Sequence, residues 1–144
     1  MIRAAAVTAM IVASPCMAAA SGIVGITAVT PWMRYLLPNL PAGGYVTLRN
    51  GGDMAVRVTG AASPDCGAMM LHESKDNSGM AMMMDVQSVP VPAHGSVSFA
   101  PGGYHIMCTD PKMHVGMDVP VVLSFQGGGT LALSMRVYGA TSAP

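Results

Sequence analysis

Short apolar, β-branched runs are broken every few residues by glycine, proline, asparagine or aspartate along the whole chain after residue 20. That punctuation leaves no stretch in which a helical period could be sustained. The 144 residues include 17 glycines and 11 prolines, the two residues least tolerated inside helices. Strands are expected at 22–29, 44–49, 55–61, 68–73, 81–86, 96–99, 104–108, 119–125 and 131–138. Segment 36–42, with two prolines, reads as an irregular crossover after Pro31-Trp32-Met33-Arg34, and 74–79 as a polar loop. Asn50-Gly51-Gly52-Asp53 is a hairpin signal. Val89-Pro90-Val91-Pro92 can only be an edge strand or a linker, because proline donates no ladder hydrogen bond. Gln126-Gly127-Gly128-Gly129 should turn the last two strands into a hairpin. Nine or so short strands with this spacing predict an all-β Greek-key sandwich or barrel. No internal repeat and no second domain is visible, so 21–144 reads as one domain.

Residues 1–20 read differently. Arg3, the apolar run after it and Ala18-Ala19-Ala20 make a secretory signal peptide, cut at or near Ser21. The run is too short for a comfortable membrane span, and the mature chain offers no other candidate. Cys16 invites a lipoprotein reading, but Pro15 before it and Ala13 upstream make a poor acylation motif. Charged residues are only 10% of the chain and the formal net charge is zero. No basic patch exists for nucleic acid or anionic lipid.

Methionine is the compositional outlier, at 15 residues. Thioether sulfur is soft and neutral, and together with imidazole it suits Cu(I) far better than zinc or calcium. His105 and Met107 are two apart on a candidate strand and therefore share a face. His72 and Met83 flank the polar loop, and a sandwich can bring all four side chains together at one end. Taken singly, each methionine reads more readily as core filler, and each histidine as a hydrogen-bonded structural residue. The combination points to a neutral site of two imidazoles and two thioethers: His72, Met83, His105 and Met107.

Ten residues separate His72 from Met83, twenty-one separate Met83 from His105, and one separates His105 from Met107. This spacing resembles the signature of the periplasmic copper chaperone family called PCuAC. Pro31-Trp32-Met33-Arg34, Gly44-Tyr45, Ala62-Ser63-Pro64, Val89-Pro90-Val91-Pro92-Ala93 and Pro101-Gly102-Gly103-Tyr104 extend the resemblance over nearly the whole mature chain. It implies a cupredoxin-like Greek-key β-sandwich, a periplasmic location and the four ligand roles above. It further implies that Cu(I) is carried to a partner, chiefly the CuA subunit of cytochrome c oxidase or another copper-assembly protein.

Three features depart from that pattern. Met80, Met82 and Met84 crowd Met83, so sulfur donors could substitute for one another there or offer a secondary metal site. Met113, His114 and Met117 offer either a secondary metal site or ordinary packing. The Met/His-rich C-terminal tail frequent in the family is missing before Pro144. Cys66 and Cys108 suggest one disulfide in an exported chain; the rival is that one thiolate joins the copper site. With Cys108, His114 and Met117 that rival leads toward a cupredoxin-like electron-transfer protein, although the spacing fits blue-copper loops poorly. Periplasmic copper storage or buffering is a further alternative. Glu73 could orient His72 or simply be a solvated strand end. No catalytic Ser-His-Asp or Cys-His arrangement is suggested, so an enzyme is not expected.

Overall fold

The computed structural model describes residues 22–144; the expected signal peptide and Cys16 lie outside them. Ten strands form, in order β1 (Ile26–Arg34), β2 (Ala42–Asn50), β3 (Val56–Ala62), β4 (Met69–Asn77), β5 (Met80–Asp85), β6 (Val89–Val91), β7 (Ser96–Phe99), β8 (Tyr104–Cys108), β9 (Asp118–Phe125) and β10 (Thr130–Tyr138). They make one continuous hydrogen-bonded sheet, ordered β5-β4-β8-β7-β2-β1-β10-β9-β3-β6. The sheet folds over through β1, so that the strands around β2 and those around β9 enclose the core between them. Alternation shows the two faces plainly. On β9, Val119, Val121, Leu123 and Phe125 are buried while Asp118, Pro120 and Val122 are exposed. On the opposing layer Leu48, Leu71 and Ile106 are buried with them. Among the described residues no helix is long and apolar enough to cross a membrane.

Several expectations are corrected here. Asn50-Gly51-Gly52-Asp53 is not a hairpin, because β2 pairs with β1, β7 and β8 while β3 pairs with β6 and β9. The buried Asn50 side chain explains the difference. Its Nδ2 donates to the Met54 and Val91 carbonyls at 2.8 and 3.2 Å, and its Oδ1 accepts from Gly52 N–H at 2.9 Å. The asparagine therefore pins an arch between layers, where its hydrogen bonds substitute for a tight turn's. The first strand also runs past its expected end at Val29: 31–34 is strand as well, and the irregular connection to β2 lies at 35–41, close to its expected place. β1 continues through a bulge at Thr30, whose φ of 48° lies in the left-handed region. The bulge shifts the alternation by one residue, so Met33 is buried while Trp32 and Arg34 face outward.

The polar stretch 74–79 is strand almost to its end. β4 and β5 form a hairpin with Asn77 opposite Met80, closed by Ser78 and Gly79 at φ 56° and 84°. Two consecutive left-handed residues are what a tight two-residue hairpin of this twist requires. No atom lies within 4 Å of a Cβ built on Gly79, so Gly79→Ala costs conformational energy alone. We expect a loss of about 1 kcal/mol, the cost of a Cβ in the left-handed region, or about 4 °C in melting temperature for a domain of this size. An unchanged thermal melt would mean that the turn does not hold the hairpin.

The segment 63–68 returns the chain from β3 to β4, and there Cys66 is joined to Cys108 by a disulfide with a Cα–Cα distance of 5.4 Å. Cys108 is fully buried beneath the layer formed by β4, β8 and β2. Around it Gly67 N–H donates to Thr109 C=O at 2.7 Å and Thr109 N–H to Ala68 C=O at 2.9 Å. The bridge thus locks the start of β4 to the end of β8.

Candidate metal centre

β4, β5 and β8 set the register of the centre. His72 on β4 lies opposite His105 on β8 and Asp85 on β5. Ser74, two residues along β4, lies opposite Met83, and Met70 lies opposite Met107. Directly opposed residues share a face in an antiparallel ladder, so His72, Met83, His105 and Met107 all occupy one face. Gly43 and Tyr45 of β2, and Arg34 and Trp32 of β1, extend the same face beyond Met107. It is the outer face of its layer, since the intervening Leu71 and Ile106 point into the core. The expected placement at one end of the sandwich is therefore corrected: the site sits on a sheet surface.

An open cleft of about 250 Å³ lies over that surface. Met83, His105, Met107 and Ser74 line it together with Tyr45, Gly43 and Arg34, and Leu36 and Pro41 bring the loop between β1 and β2 to its rim. Met83 is largely exposed, Met107 half-buried and His105 buried. The two imidazoles meet edge to face with ring centroids 5.5 Å apart.

The histidine nitrogens carry the chemical argument. His105 Nδ1 is 3.1 Å from the Gly103 carbonyl. A carbonyl only accepts, so Nδ1 carries the proton and Nε2 keeps its lone pair. That Nε2 is buried and has no hydrogen-bond partner. A metal-ligating histidine typically donates its second nitrogen to a carbonyl in this way. The same Gly103 carbonyl accepts the Ser74 N–H at 3.0 Å, which ties β4 to the turn before β8. His72 Nε2 approaches Asp85 Oδ1 at 2.6 Å, yet neither ring nitrogen has an aligned hydrogen-bond partner. The close contact and the missing hydrogen bond are compatible, since the carboxylate lies off the ring N–H direction. Buried, unpaired polar nitrogens are costly unless something else meets them. His105, which carries one of them, lines the cleft, whereas His72 does not line it and has the Asp85 carboxylate beside its Nε2.

Charge near the cleft is balanced rather than attractive. The Arg34 guanidinium stacks over Trp32 at 5.1 Å and donates to the Ala140 carbonyl at 3.3 Å. Trp32 in turn lies 4.6 Å from the Tyr45 ring. Burial raises the Tyr45 phenol above its ordinary value, with Arg34 opposing the shift, so Tyr45 presents a neutral hydroxyl at neutral pH. A Cβ on Gly43 would fall 2.7 Å from that hydroxyl, which is why glycine stands where the phenol crosses the strand. Among the described residues no three of His, Cys, Asp and Glu come together to hold a metal. The two thioethers on this face are soft donors, unlike the oxygen ligands that calcium and magnesium take.

The remaining candidates are placed elsewhere. Met80, Met82 and Met84 lie on the face of β5 opposite to Met83. They cannot replace Met83 without a one-residue register slip, so the expected substitution among sulfurs is corrected. Met113 is buried in the core, Met117 packs against it, and His114 is exposed. Glu73 faces away from His72 and pairs with Lys75 at 3.2 Å; Asp85 occupies the place beside the imidazole instead. Sequence reasoning missed Asp85, Arg34, Tyr45 and Gly103. The first two residues after Met83 would have revealed Asp85, had the hairpin turn been recognised at Ser78-Gly79.

Residues 26–137 match the family model described as "Putative lipoprotein LpqE-like". The chain belongs to the LpqE-like family. A curated relative from Leifsonia xyli subsp. xyli, called "Putative lipoprotein Lxx21020", is 28% identical over 116 residues, covering 78% of this chain and 69% of its own. Among solved structures, the copper-bound PCuAC domain from PmoF2 superposes with a TM-score of 0.69 at 24% identity, covering 83% of this LpqE-like chain and 97% of that domain. The Cu(I) form of DR1885 from Deinococcus radiodurans superposes at 0.57 with 28% identity, covering 85% and 80%. Its apo form gives 0.63 at 24%, covering 98% and 97%. This LpqE-like chain therefore has the all-β, cupredoxin-like Greek-key sandwich of PCuAC domains.

Proposed function

We propose that this protein binds one Cu(I) ion through His72, Met83, His105 and Met107 and carries it outside the cytoplasm to a partner. The observation that carries the reading is the buried, unpartnered Nε2 of His105, held in the ligating tautomer by Gly103, on a residue that lines one cleft with the thioethers of Met83 and Met107. The copper-bound PCuAC domain from PmoF2 and the Cu(I) form of DR1885 support the same cargo. Two thioethers and two neutral imidazoles leave copper as a monocation and favour the reduced state. Arg34 in the cleft wall opposes a cation, and exposed Met83 is the easiest ligand to displace. Both features suit a carrier that releases its ion.

Transfer is ligand exchange without a change of oxidation state. An incoming thiolate or imidazole of the partner bonds to copper as the Met83 sulfur leaves, and the remaining ligands follow stepwise. The CuA subunit of cytochrome c oxidase is the recipient that the PCuAC resemblance implies, and the periplasm is the compartment. An electron-transfer role would need a thiolate ligand. Cys108 is buried, disulfide-bonded and turned to the core side, away from His105 and Met107, so nothing favours that reading. The family and its Leifsonia relative are described as lipoproteins, and the cysteine that bears on this here is Cys16. With Pro15 in front of it, we expect cleavage near Ser21 to remove it.

Copper K-edge absorption on protein loaded anaerobically with one equivalent of Cu(I) tests the centre. The expected shell is imidazole nitrogen plus thioether sulfur. A short thiolate bond, or a shell without sulfur, would overturn the assignment.

A further inference from the structure

Three thioethers on β5 have no role in the cleft and none in the core. Met80, Met82 and Met84 lie opposite Asn77, Lys75 and Glu73 and share the other face of the hairpin. Their exposures are 70%, 46% and 42%. None of the three joins the core cluster, in contrast to Met33, Met113 and Met135. β5 is also the terminal strand of the sheet. Packing thus gives no reason for three methionines here, and an exposed apolar edge is ordinarily a liability.

We propose that Met80, Met82 and Met84 form a second soft-metal site, a strip of two overlapping two-sulfur Cu(I) positions that share Met82. Residues two apart on a strand stand about 7 Å apart on one face. Methionine has three rotatable bonds beyond its Cα, so neighbouring thioethers can lean together over one ion. Met80 and Met84 are about 13 Å apart by the same spacing and cannot share an ion. The Met80–Met82 and Met82–Met84 pairs are therefore separate positions with a common donor. Two-sulfur coordination by neutral thioethers suits a d¹⁰ monocation and disfavours zinc, calcium and Cu(II). Lys75 beside Met82 is neutralised by its ion pair with Glu73, so the strip does not repel a cation. An ion held there sits on the opposite side of the strand from Met83. The inference rests on thioether chemistry and strand alternation and stands apart from the four-residue centre.

Silver(I), a redox-inert d¹⁰ stand-in, titrated into the full mature chain with carbon-13 methionine methyls tests the strip. The first equivalent should move the Met83 and Met107 methyls, and the second those of Met80, Met82 and Met84. Met82→Leu keeps the size and removes the shared sulfur, so it should abolish the second-equivalent shifts. Met80→Leu and Met84→Leu should each remove one pair and keep the other. An unmoved Met135 methyl, deep in the core, confirms that the variants stay folded. The proposal is overturned if the second equivalent moves only Met113 and Met117, if it moves none, or if Met82→Leu leaves the Met80 and Met84 shifts intact. Failure of the first equivalent to reach Met83 and Met107 would instead sink the four-ligand reading and leave the strip standing.

Discussion

Met107→Ala is expected to weaken Cu(I) binding by about a hundredfold or more while lowering stability only slightly. Loss of an outer hydrogen-bond partner to a metal ligand already costs about 10–100-fold, and a ligand itself should reach the upper end of that range. A hundredfold loss corresponds to about 2.7 kcal/mol. Met107 is half-buried over the cleft, outside the hydrophobic core. Truncating it should cost the fold roughly 1 kcal/mol, below the range for fully buried methionines. That is about 4 °C of melting temperature. Competitive titration with a Cu(I) chelator and a thermal melt of the same sample separate the two effects. Met54→Ala, on the exposed arch after β2, serves as the methionine control and should change neither. Comparable losses of affinity and stability from Met107→Ala would make Met107 a packing residue and remove it from the centre.

The disulfide should show the reverse pattern. Cys66 and Cys108 are 42 residues apart in sequence, and closing a loop of that size stabilises a fold by about 4 kcal/mol in the chain-entropy model. The double variant Cys66→Ala/Cys108→Ala is expected to melt about 15 °C lower. Below its transition it should keep its affinity for one equivalent of Cu(I), because β8 turns Cys108 to the core and Met107 to the cleft. A folded double variant that has lost Cu(I) binding would bring a thiolate into the centre and revive the electron-transfer reading. Measured together, the two variants separate ligation from scaffolding on adjacent residues of a single strand.

That adjacent residues can be separated so cleanly follows from strand alternation, which is also why much of this molecule is legible in its sequence. The short apolar runs of β2, β8, β9 and β10 announce themselves, since one buried face imposes a period of two. The last hairpin is read directly from its glycines. The interval from His105 to Met107 places both on one face with no tertiary information. Elsewhere the local signal misleads. Asn50-Gly51-Gly52 has the composition of a hairpin, but its asparagine is buried and bonded to the Val91 carbonyl of a distant strand. Proline in Pro31-Trp32 suggests a break, but a bulge at Thr30 carries β1 onward and turns Trp32 and Arg34 to the face that carries the cleft, where Arg34 lines it. The polar Ser74–Asn77 residues look like loop, but pairing with β5 holds them in a strand at the sheet edge.

The sequence by itself determined the all-β fold class and the soft-donor character of the candidate ligands. Each of these rests on composition or on a period that a single strand expresses alone. The Cys66–Cys108 bridge, one of two readings of those cysteines, was decided by the structure. Only the tertiary structure decided which methionine faces which histidine. That choice depends on the register of β4 against both β5 and β8, and a shift of one residue would exchange Met83 for its neighbours. The same register brings Asp85 to His72 and leaves Glu73 outside. It also divides one methionine cluster into a candidate ligand on one face and a strip of three on the other. Register is fixed by contacts between residues far apart in the chain, among them the Gly103 carbonyl shared by Ser74 and His105, and no local pattern carries that information.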